Sequence, residues 1–234
     1  MRRRREILNH LRIIYDKIAS ERFKNDYLEI LKKFDSIAEE ELRKTLAKYY
    51  PNQRSRDQAW KTYKGKLYEY AVFRYIEQII RKNEELNKKF SIVMGKDIMK
   101  YKDGFVIKNW REIFPDVDLL IVKENKVEVI ISCKTNLRRK LTKIAFWKRE
   151  LERFETTRNI KVILITTNKD NKLQQDLNRY ILLHVLDGTF ITDPKKYEQL
   201  INDFKNKYGD KPEFPELISK VRFIADFEQF LKQL

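Results

Sequence analysis

The sequence contains little cysteine, histidine or glycine, and each shortage excludes a class of protein. A single cysteine, Cys133, excludes an internal disulfide framework, so a reducing, cytoplasmic setting is expected. Two histidines, His10 and His184, are too few and too distant in sequence for a histidine-based zinc site. No apolar run approaches the roughly 20 residues of a membrane-spanning helix. For that reason no membrane partner is expected. No glycine-rich phosphate loop is present, so no nucleotide cofactor is expected.

Positive charge, by contrast, is abundant. The 234 residues carry a formal net charge of +16, with 42% apolar and 37% charged residues. Fourteen Phe, twelve Tyr and three Trp supply enough apolar surface for a folded core rather than a disordered chain. A positive surplus of this size is typical of proteins that bind nucleic acid, because lysine and arginine neutralise phosphates and release counterions. The alternative is a lysine-rich surface that only faces solvent.

The spacing of apolar residues changes along the chain from a helical period to a strand period. Two helices are predicted over residues 1–50 and a long helix over 58–84, whereas residues 90–109 are ambiguous. The later predicted elements are strands at 118–122 and 127–134, a helix at 142–157, a strand at 161–166, a helix at 172–186, a strand at 190–192 and a helix from 193, with a final helix from 226.

This order of elements predicts an α/β fold with a mixed central sheet flanked by helices and an N-terminal helical extension. Residues 1–56 are predicted to form the helical region, with a role in dimerisation or DNA contact. Residues 57–234 are predicted to contain the core and the C-terminal helices.

The segment with the strongest chemical signal is the predicted hairpin from Asp118 to Lys134. Alternate side chains of a strand share a face, so Ser132 and Lys134 point the same way. The turn near Glu124 places Asp118 opposite them. Asp118 directly precedes an apolar run and is the expected main ligand, while Asp116 follows a proline and is the second choice.

A carboxylate and an ammonium at the end of two apolar strands suit phosphodiester hydrolysis. The carboxylate can hold Mg²⁺, which prefers oxygen ligands and retained waters. The lysine can orient or deprotonate an attacking water and neutralise charge on a phosphate. The alternative for Lys134 is a lysine that protects an edge strand from mispairing.

The residues from Pro115-Asp116 to Lys134 resemble the PD-(D/E)xK nuclease motif, with Ser132-Cys133-Lys134 departing from it by placing serine in the usual acidic position. The Ser-Cys-Lys form is similar to that of a subset of type II restriction endonucleases, including those that cut CCGG-type sites. The resemblance implies a restriction-endonuclease-like core over about residues 58–167, Mg²⁺ as cofactor and double-stranded DNA as substrate.

In that subset the missing acid is implied to come from a glutamate on the following helix. Glu150 is the candidate here, with Glu152 as a weaker substitute. The subset's glutamate usually comes sooner after the lysine, where this sequence has Trp147 and Lys148.

A second acid, Glu69, is the only charged residue on the stripe formed by Gly65, Val72, Phe73, Ile76 and Ile80 of the long predicted helix. A lone buried carboxylate is expensive unless it is protonated, paired or bound to a metal. Gly65 suggests close packing there. Glu69 also resembles the helical glutamate of many nucleases of this superfamily, which implies a metal-ligand role. The alternative is a structural pair with Lys134 or an arginine.

A polar and basic run follows the predicted catalytic lysine directly. Thr135, Asn136, Arg138 and Arg139 are candidates for contacting the DNA backbone or reading guanine. The alternative is a solvated charged face.

The sequence therefore predicts a type II restriction endonuclease that cuts duplex DNA with Mg²⁺. A two-fold homodimer is expected because DNA sites are often palindromic. Two other hypotheses remain: a structure-selective or repair nuclease with the same core, and a DNA-binding protein without catalysis, which the serine at 132 favours.

Overall fold

The computed structural model describes residues 2–108, 110–137 and 140–234. The α-helices are α1 (Arg2–Phe23), α2 (Tyr27–Lys32), α3 (Phe34–Ile37), α4 (Arg43–Thr45), α5 (Gln53–Lys82), α6 (Glu84–Lys89), α7 (Lys140–Glu152), α8 (Asp176–Tyr180), α9 (Pro194–Tyr208), α10 (Phe214–Ile218) and α11 (Phe227–Lys232). The strands are β1 (Phe90–Met94), β2 (Ile107–Lys108), β3 (Glu112–Ile113), β4 (Leu119–Lys123), β5 (Lys126–Lys134), β6 (Lys161–Thr166), β7 (Gly188–Ile191) and β8 (Val221–Phe223). Within these residues, no helix combines the length and the apolar character needed to cross a membrane.

The chain divides into two compact units, Met1–Tyr75 and Ile76–Leu234. The predicted boundary after residue 56 falls earlier, because the first part of α5 packs with the preceding helices. Lys64 of α5, for example, forms ion pairs with Asp35 at 2.5 Å and with Glu39 at 2.9 Å. A buried stripe on α1 completes this helical unit: Ile7, Leu11, Tyr15, Ile18 and Ala19.

The second unit is built on a six-stranded mixed sheet of order β1-β4-β5-β6-β7-β8. The pairs β1–β4 and β4–β5 are antiparallel, and the pairs from β5 to β8 are parallel. The mixed sheet with flanking helices confirms the predicted fold class. The parallel half matters for function, because it brings the carboxyl ends of β5, β6 and β7 to one edge.

The β4–β5 hairpin closes through Glu124 and Asn125, which have φ angles of 49° and 64°. Two successive residues with positive φ match the strand twist in a tight hairpin turn. The turn sets Lys123 opposite Lys126, and a β-bulge between Ile121 and Val122 then shifts the register by one residue, so that Leu119 faces Ile131 and Leu120 faces Ile130. Asp118 and Ser132 therefore lie side by side at the open end of the hairpin.

Both faces of the sheet are buried. Ile130, Val162 and Leu164 belong to a core that also contains Leu141 and Ile144 of α7. On the other face, Phe190 of β7 packs against the ring of Phe227 at 4.9 Å between centroids. Burial on both sides explains why the parallel strands have near-continuous apolar sequences.

Among the differences from the sequence prediction, two involve whole elements of the sheet and its flanking helices. The ambiguous stretch 90–109 contains β1, which pairs with β4 along its whole length and forms one edge of the sheet. The predicted helix at 172–186 is broken into a 3₁₀ turn, α8 and a π-helical turn at Ile181–Val185. Local periodicity could not show either feature, because both depend on what the segment packs against.

Candidate active site

Asp118 and Lys134 meet at the end of the β4–β5 hairpin. Lys134 Nζ lies 2.5 Å from Asp118 Oδ2, and the two side chains are only 12% and 6% exposed. The backbone N–H of Cys133 donates to the same oxygen at 2.8 Å, and the Ser132 hydroxyl lies 3.4 Å from it. These three donors hold one carboxylate oxygen in place.

The charge state of the pair follows from its surroundings. Burial acts to lower the pKa of Lys134, but the charge of Asp118 and its hydrogen bond outweigh burial and raise this pKa above the ordinary value of 10.5. Lys134 is therefore an ammonium at neutral pH while it contacts Asp118. In this arrangement it can donate to a water or a phosphate oxygen rather than remove a proton.

The donor set for a metal ion is small. Asp118 Oδ1 accepts no hydrogen bond from any residue that the structure describes, whereas Oδ2 accepts three. Over the same described ranges, no group of three or more His, Cys, Asp or Glu side chains is placed to hold a metal. One carboxylate oxygen is nevertheless compatible with Mg²⁺, which keeps several waters and takes one or two protein carboxylates.

Asp116 lies close to this pair but on the surface. Its carboxylate is 55% exposed and lies 3.3 Å from Lys143 Nζ on the first turn of α7. Its charge also contributes to raising the pKa of Lys134. The role of Asp116 as the second choice of metal ligand after Asp118 stays a prediction.

Glu150 is not brought to the pair. Its carboxylate is bonded to Arg153 at 3.2 Å near the end of α7. Lys148, one half-turn earlier, forms an ion pair with Asp187 at 2.7 Å and reaches Ile160 O, just before β6 begins. Lys134, in contrast, is in register with Thr166 at the other end of β6. At about 3.3 Å per residue, these two ends are roughly 17 Å apart.

Glu69 belongs to the helical unit. Its side chain is 12% exposed, and its carboxylate accepts hydrogen bonds from Lys66 at 2.8 and 3.0 Å. The expected close packing at Gly65 is wrong, since a methyl group built there would meet no atom within 4 Å. The low exposure of Glu69 agrees with the expected buried stripe, and its role as a metal ligand stays a prediction.

The predicted DNA-contacting run is described only in part. Thr135 and Asn136 are half-buried beyond the end of β5, whereas Arg138 and Arg139 lie outside the described residues. The Thr135 carbonyl accepts a hydrogen bond from Thr167 at 3.4 Å, and the Leu137 N–H donates to Asp170 at 3.2 Å. The loop after β6 therefore supports the turn after Lys134.

Sequence reasoning missed Asp170. The signal that could have found it was the polar stretch after the strand predicted at 161–166. In a parallel pair this stretch must lie beside the end of β5, because the carboxyl ends of parallel strands share an edge.

The fold is that of a restriction endonuclease. A solved complex described as restriction endonuclease PspGI with substrate DNA matches with a TM-score of 0.66, covering 95% of this chain and 92% of that chain at 12% identity. A protein of Methanocaldococcus jannaschii assigned as the type II restriction enzyme MjaVIP is 26% identical over 202 residues, covering 78% of this chain and 83% of that protein.

The family model for the BsaWI restriction endonuclease, type 2, matches residues 97–215, which is about half of the chain and includes the hairpin of Asp118 and Lys134. The chain belongs to this family. It is a type II restriction endonuclease, and so an enzyme of the type II site-specific deoxyribonuclease class.

Proposed function

We propose that this enzyme hydrolyses phosphodiester bonds of duplex DNA at a defined sequence, using Mg²⁺ held at Asp118 and the ammonium of Lys134. The observation that carries the proposal is the buried Asp118–Lys134 pair, 2.5 Å apart, at the end of the hairpin. Burying two charges is expensive, and a pair of this kind is weak evidence for stability alone. The two charges have a function in a site that binds a cation and a phosphate, because the carboxylate can hold the cation and the ammonium can contact the phosphate.

The roles of the residues follow from their contacts. Asp118 Oδ1, with Asp116 nearby, would hold the ion, while the Cys133 N–H fixes the carboxylate. When bound, Mg²⁺ would lower the pKa of a coordinated water and stabilise charge on the phosphate. Lys134 would donate to the phosphate or to the attacking water from the same side of the sheet. Ser132, in the position that is usually acidic, would support Asp118 instead of binding the ion.

Glu69 and Glu150, the two helical acids predicted as metal ligands, have different surroundings. Glu69 is proposed to complete the coordination of the ion by binding one of its waters. Glu150 keeps that role as a prediction, but its pairing with Arg153 at the far end of α7 favours a structural function. Exchanging each glutamate for glutamine separates them. We expect Glu69→Gln to lower the cleavage rate at least tenfold and Glu150→Gln to change it less than threefold, on the order of single-group effects.

The test of the function is a digest of unmethylated phage DNA with the purified enzyme, in Mg²⁺ and in EDTA. We expect discrete fragments in Mg²⁺ only. Lys134→Ala should slow cleavage by roughly 100-fold or more, as the loss of a group that stabilises developing charge does. Lys207→Ala removes the same charge from an exposed pair with Asp203 on α9 and should cut as the unmodified enzyme does.

The outcomes distinguish the remaining hypotheses. Sequencing the ends of discrete fragments gives the recognition sequence and the position of the cut. Smeared products, or cleavage of branched DNA alone, would favour a structure-selective nuclease. Salt-sensitive binding without cleavage in Mg²⁺ would favour a protein that binds DNA without catalysis.

A further inference from the structure

A small two-stranded hairpin precedes the active-site strands. In it Ile107 pairs with Ile113, and Lys108 pairs with Glu112. Trp110, at the tip, is 98% exposed. The other tryptophans have neighbours that cover them fully or in part: Trp60 is 4% exposed and bonded to Glu39, and Trp147 is partly buried against the core of the second unit.

The base of this hairpin is anchored. Ile107 is 4% exposed and belongs to the core of the second unit, as does Phe105 before it. Phe114, directly after β3, packs edge-to-face on Phe105 with 6.4 Å between ring centroids. An anchored base beneath a fully exposed indole makes the hairpin a projecting arm.

Exposure of this degree calls for a partner. The Trp side chain has one of the largest apolar surfaces, and this surface is usually largely buried in a protein or at an interface. Arg111, beside it, is exposed and makes no ion pair with any described residue. An aromatic ring flanked by an unpaired guanidinium is the combination that stacks on bases and neutralises phosphates.

The position of the tip fits duplex DNA held at the active site. Trp110 precedes Asp118 by eight residues. A chain of eight residues spans at most about 28 Å, which is less than one turn of B-DNA at about 34 Å. The tip can therefore reach the same turn of DNA as the cut phosphate. The major groove is also wide enough for a two-stranded ribbon.

We propose that the hairpin Ile107–Ile113 is a DNA-contacting arm and that Trp110 wedges into a base step, partly unstacking it, within one turn of the cut, with Arg111 on the adjacent phosphate. The inference rests on the enzyme acting on DNA, and it requires neither Mg²⁺ nor a particular sequence. A net charge of +16 favours DNA over a second, equally basic copy of this chain as the occupant of the arm.

Binding and fluorescence in EDTA test the arm without cleavage. The probe is a fluorescein-labelled 30-bp duplex of mixed sequence for affinity, and the unlabelled duplex for acrylamide quenching. We expect Trp110→Ala to weaken binding roughly tenfold and Trp110→Phe to weaken it less, as loss of an aromatic stack does. Phe146→Ala, which removes another exposed ring (53% exposed) from α7, should leave affinity unchanged.

The quenching measurement follows Trp110 itself. The part of the fluorescence that Trp110→Ala removes should be strongly quenched by acrylamide in the free protein and shielded once the duplex is added. Equal affinity of Trp110→Ala and the unmodified enzyme, with no shielding, would overturn the proposal. A second pair of results would also overturn it: Trp110→Ala loses self-association, and Trp110 of the unmodified enzyme stays quenchable by acrylamide when DNA is bound. A second copy of the chain, rather than DNA, would then cover Trp110.

Failure of this proposal is separable from failure of the proposed function. An enzyme that binds the duplex through Trp110 but does not cut in Mg²⁺ would contradict the catalytic assignment alone. An enzyme that cuts at discrete sites while Trp110→Ala binds and cuts normally would contradict the arm alone.

Discussion

The carboxylate of Asp118 is a buried charge whose position is set by three donors from the neighbouring strand. Two of these donors come from the side chains of Ser132 and Lys134, and the third is the backbone N–H of Cys133. Because the backbone donor does not depend on residue type, part of the geometry would survive substitution of either side chain. The charge balance would not survive, since Lys134 supplies the only ammonium in contact with Asp118 among the described residues.

Removing Lys134 should therefore destabilise the enzyme at neutral pH. We expect Lys134→Met to lower the free energy of unfolding by about 1–3 kcal/mol, because the Asp118 carboxylate is left buried without a countercharge. Adding Asp118→Asn should restore part of the loss. Urea denaturation of the two single variants and the double variant gives the coupling energy.

A matched control uses the exposed pair nearby. Lys143 and Asp116 are 58% and 55% exposed, so Lys143→Met should change the free energy of unfolding by less than about 0.5 kcal/mol. Additive effects at 118 and 134 would show that the two groups are not coupled.

The direction in which pH changes the stability from the Asp118–Lys134 pair follows from the pKa of Lys134. The pKa of Lys134 is raised on folding, so the stability that its charge contributes is complete below about pH 10.5 and is lost as the pH rises through the folded-state pKa.

At the scale of the element, α5 is a helix of 30 residues with a glycine in its interior. Gly65 lies where an added methyl group meets no atom within 4 Å, so no close approach requires glycine. Gly65→Ala should raise the free energy of unfolding by about 0.5–1 kcal/mol, because alanine loses less conformational entropy in a helix. Urea denaturation followed by circular dichroism measures the change. A destabilised variant would mean that the site is more crowded than this structure shows.

The π-helical turn Ala38–Leu42 carries an acid-sensitive contact with α5. Burial acts to raise the pKa of Glu39, but hydrogen bonds from Lys64, Trp60 and Arg43 outweigh it and lower the pKa to about 2, from an ordinary value of 4.5. The stability that Glu39 contributes is therefore present above pH 4.5 and lost as the pH falls to about 2.

Substitution tests this acid sensitivity. Glu39→Gln should lower stability at pH 7 and flatten the decline of stability between pH 4.5 and pH 2. Urea denaturation at several pH values measures both effects. The same slope in the variant and the unmodified enzyme would assign the acid sensitivity to other carboxylates.

At the scale of the whole molecule, we propose a two-fold homodimer with residues 1–56 at its interface, since symmetric DNA sites favour symmetric enzymes. Among the described residues of this region, Ile13 is a large apolar residue with a highly exposed side chain, at 66%. Ile13→Glu should shift the enzyme toward monomers in sedimentation equilibrium, because it buries a charge in the interface. A monomer at every concentration would refute the dimer. A dimer unaffected by the substitution would move the interface elsewhere.

The sequence alone determined the hairpin and the two charged residues near its open end. The β-branched run before Lys134, the turn at Glu124-Asn125 and the acid before Leu119 are local patterns, and a period of two fixes which side chains share a face. The meeting of Asp118 and Lys134 also needs the β-bulge between Ile121 and Val122, because this bulge shifts the turn's register by one residue and so brings Asp118 to the face of Lys134. The parallel strand at 161–166 was also predicted within its observed bounds, because it is a short apolar run.

Only the tertiary structure decided which distant segments share the site. Glu150 is the candidate acid of the helix that follows Lys134 in the sequence, yet the direction of α7 carries it toward the start of β6. Asp170 has no motif, yet the parallel pairing of β5 and β6 brings it to Leu137. Trp110 belongs to no sequence motif, yet the structure leaves it 98% exposed at the tip of its hairpin. Local periodicity determines which face a side chain occupies, whereas the direction and pairing of whole elements determine what it meets there.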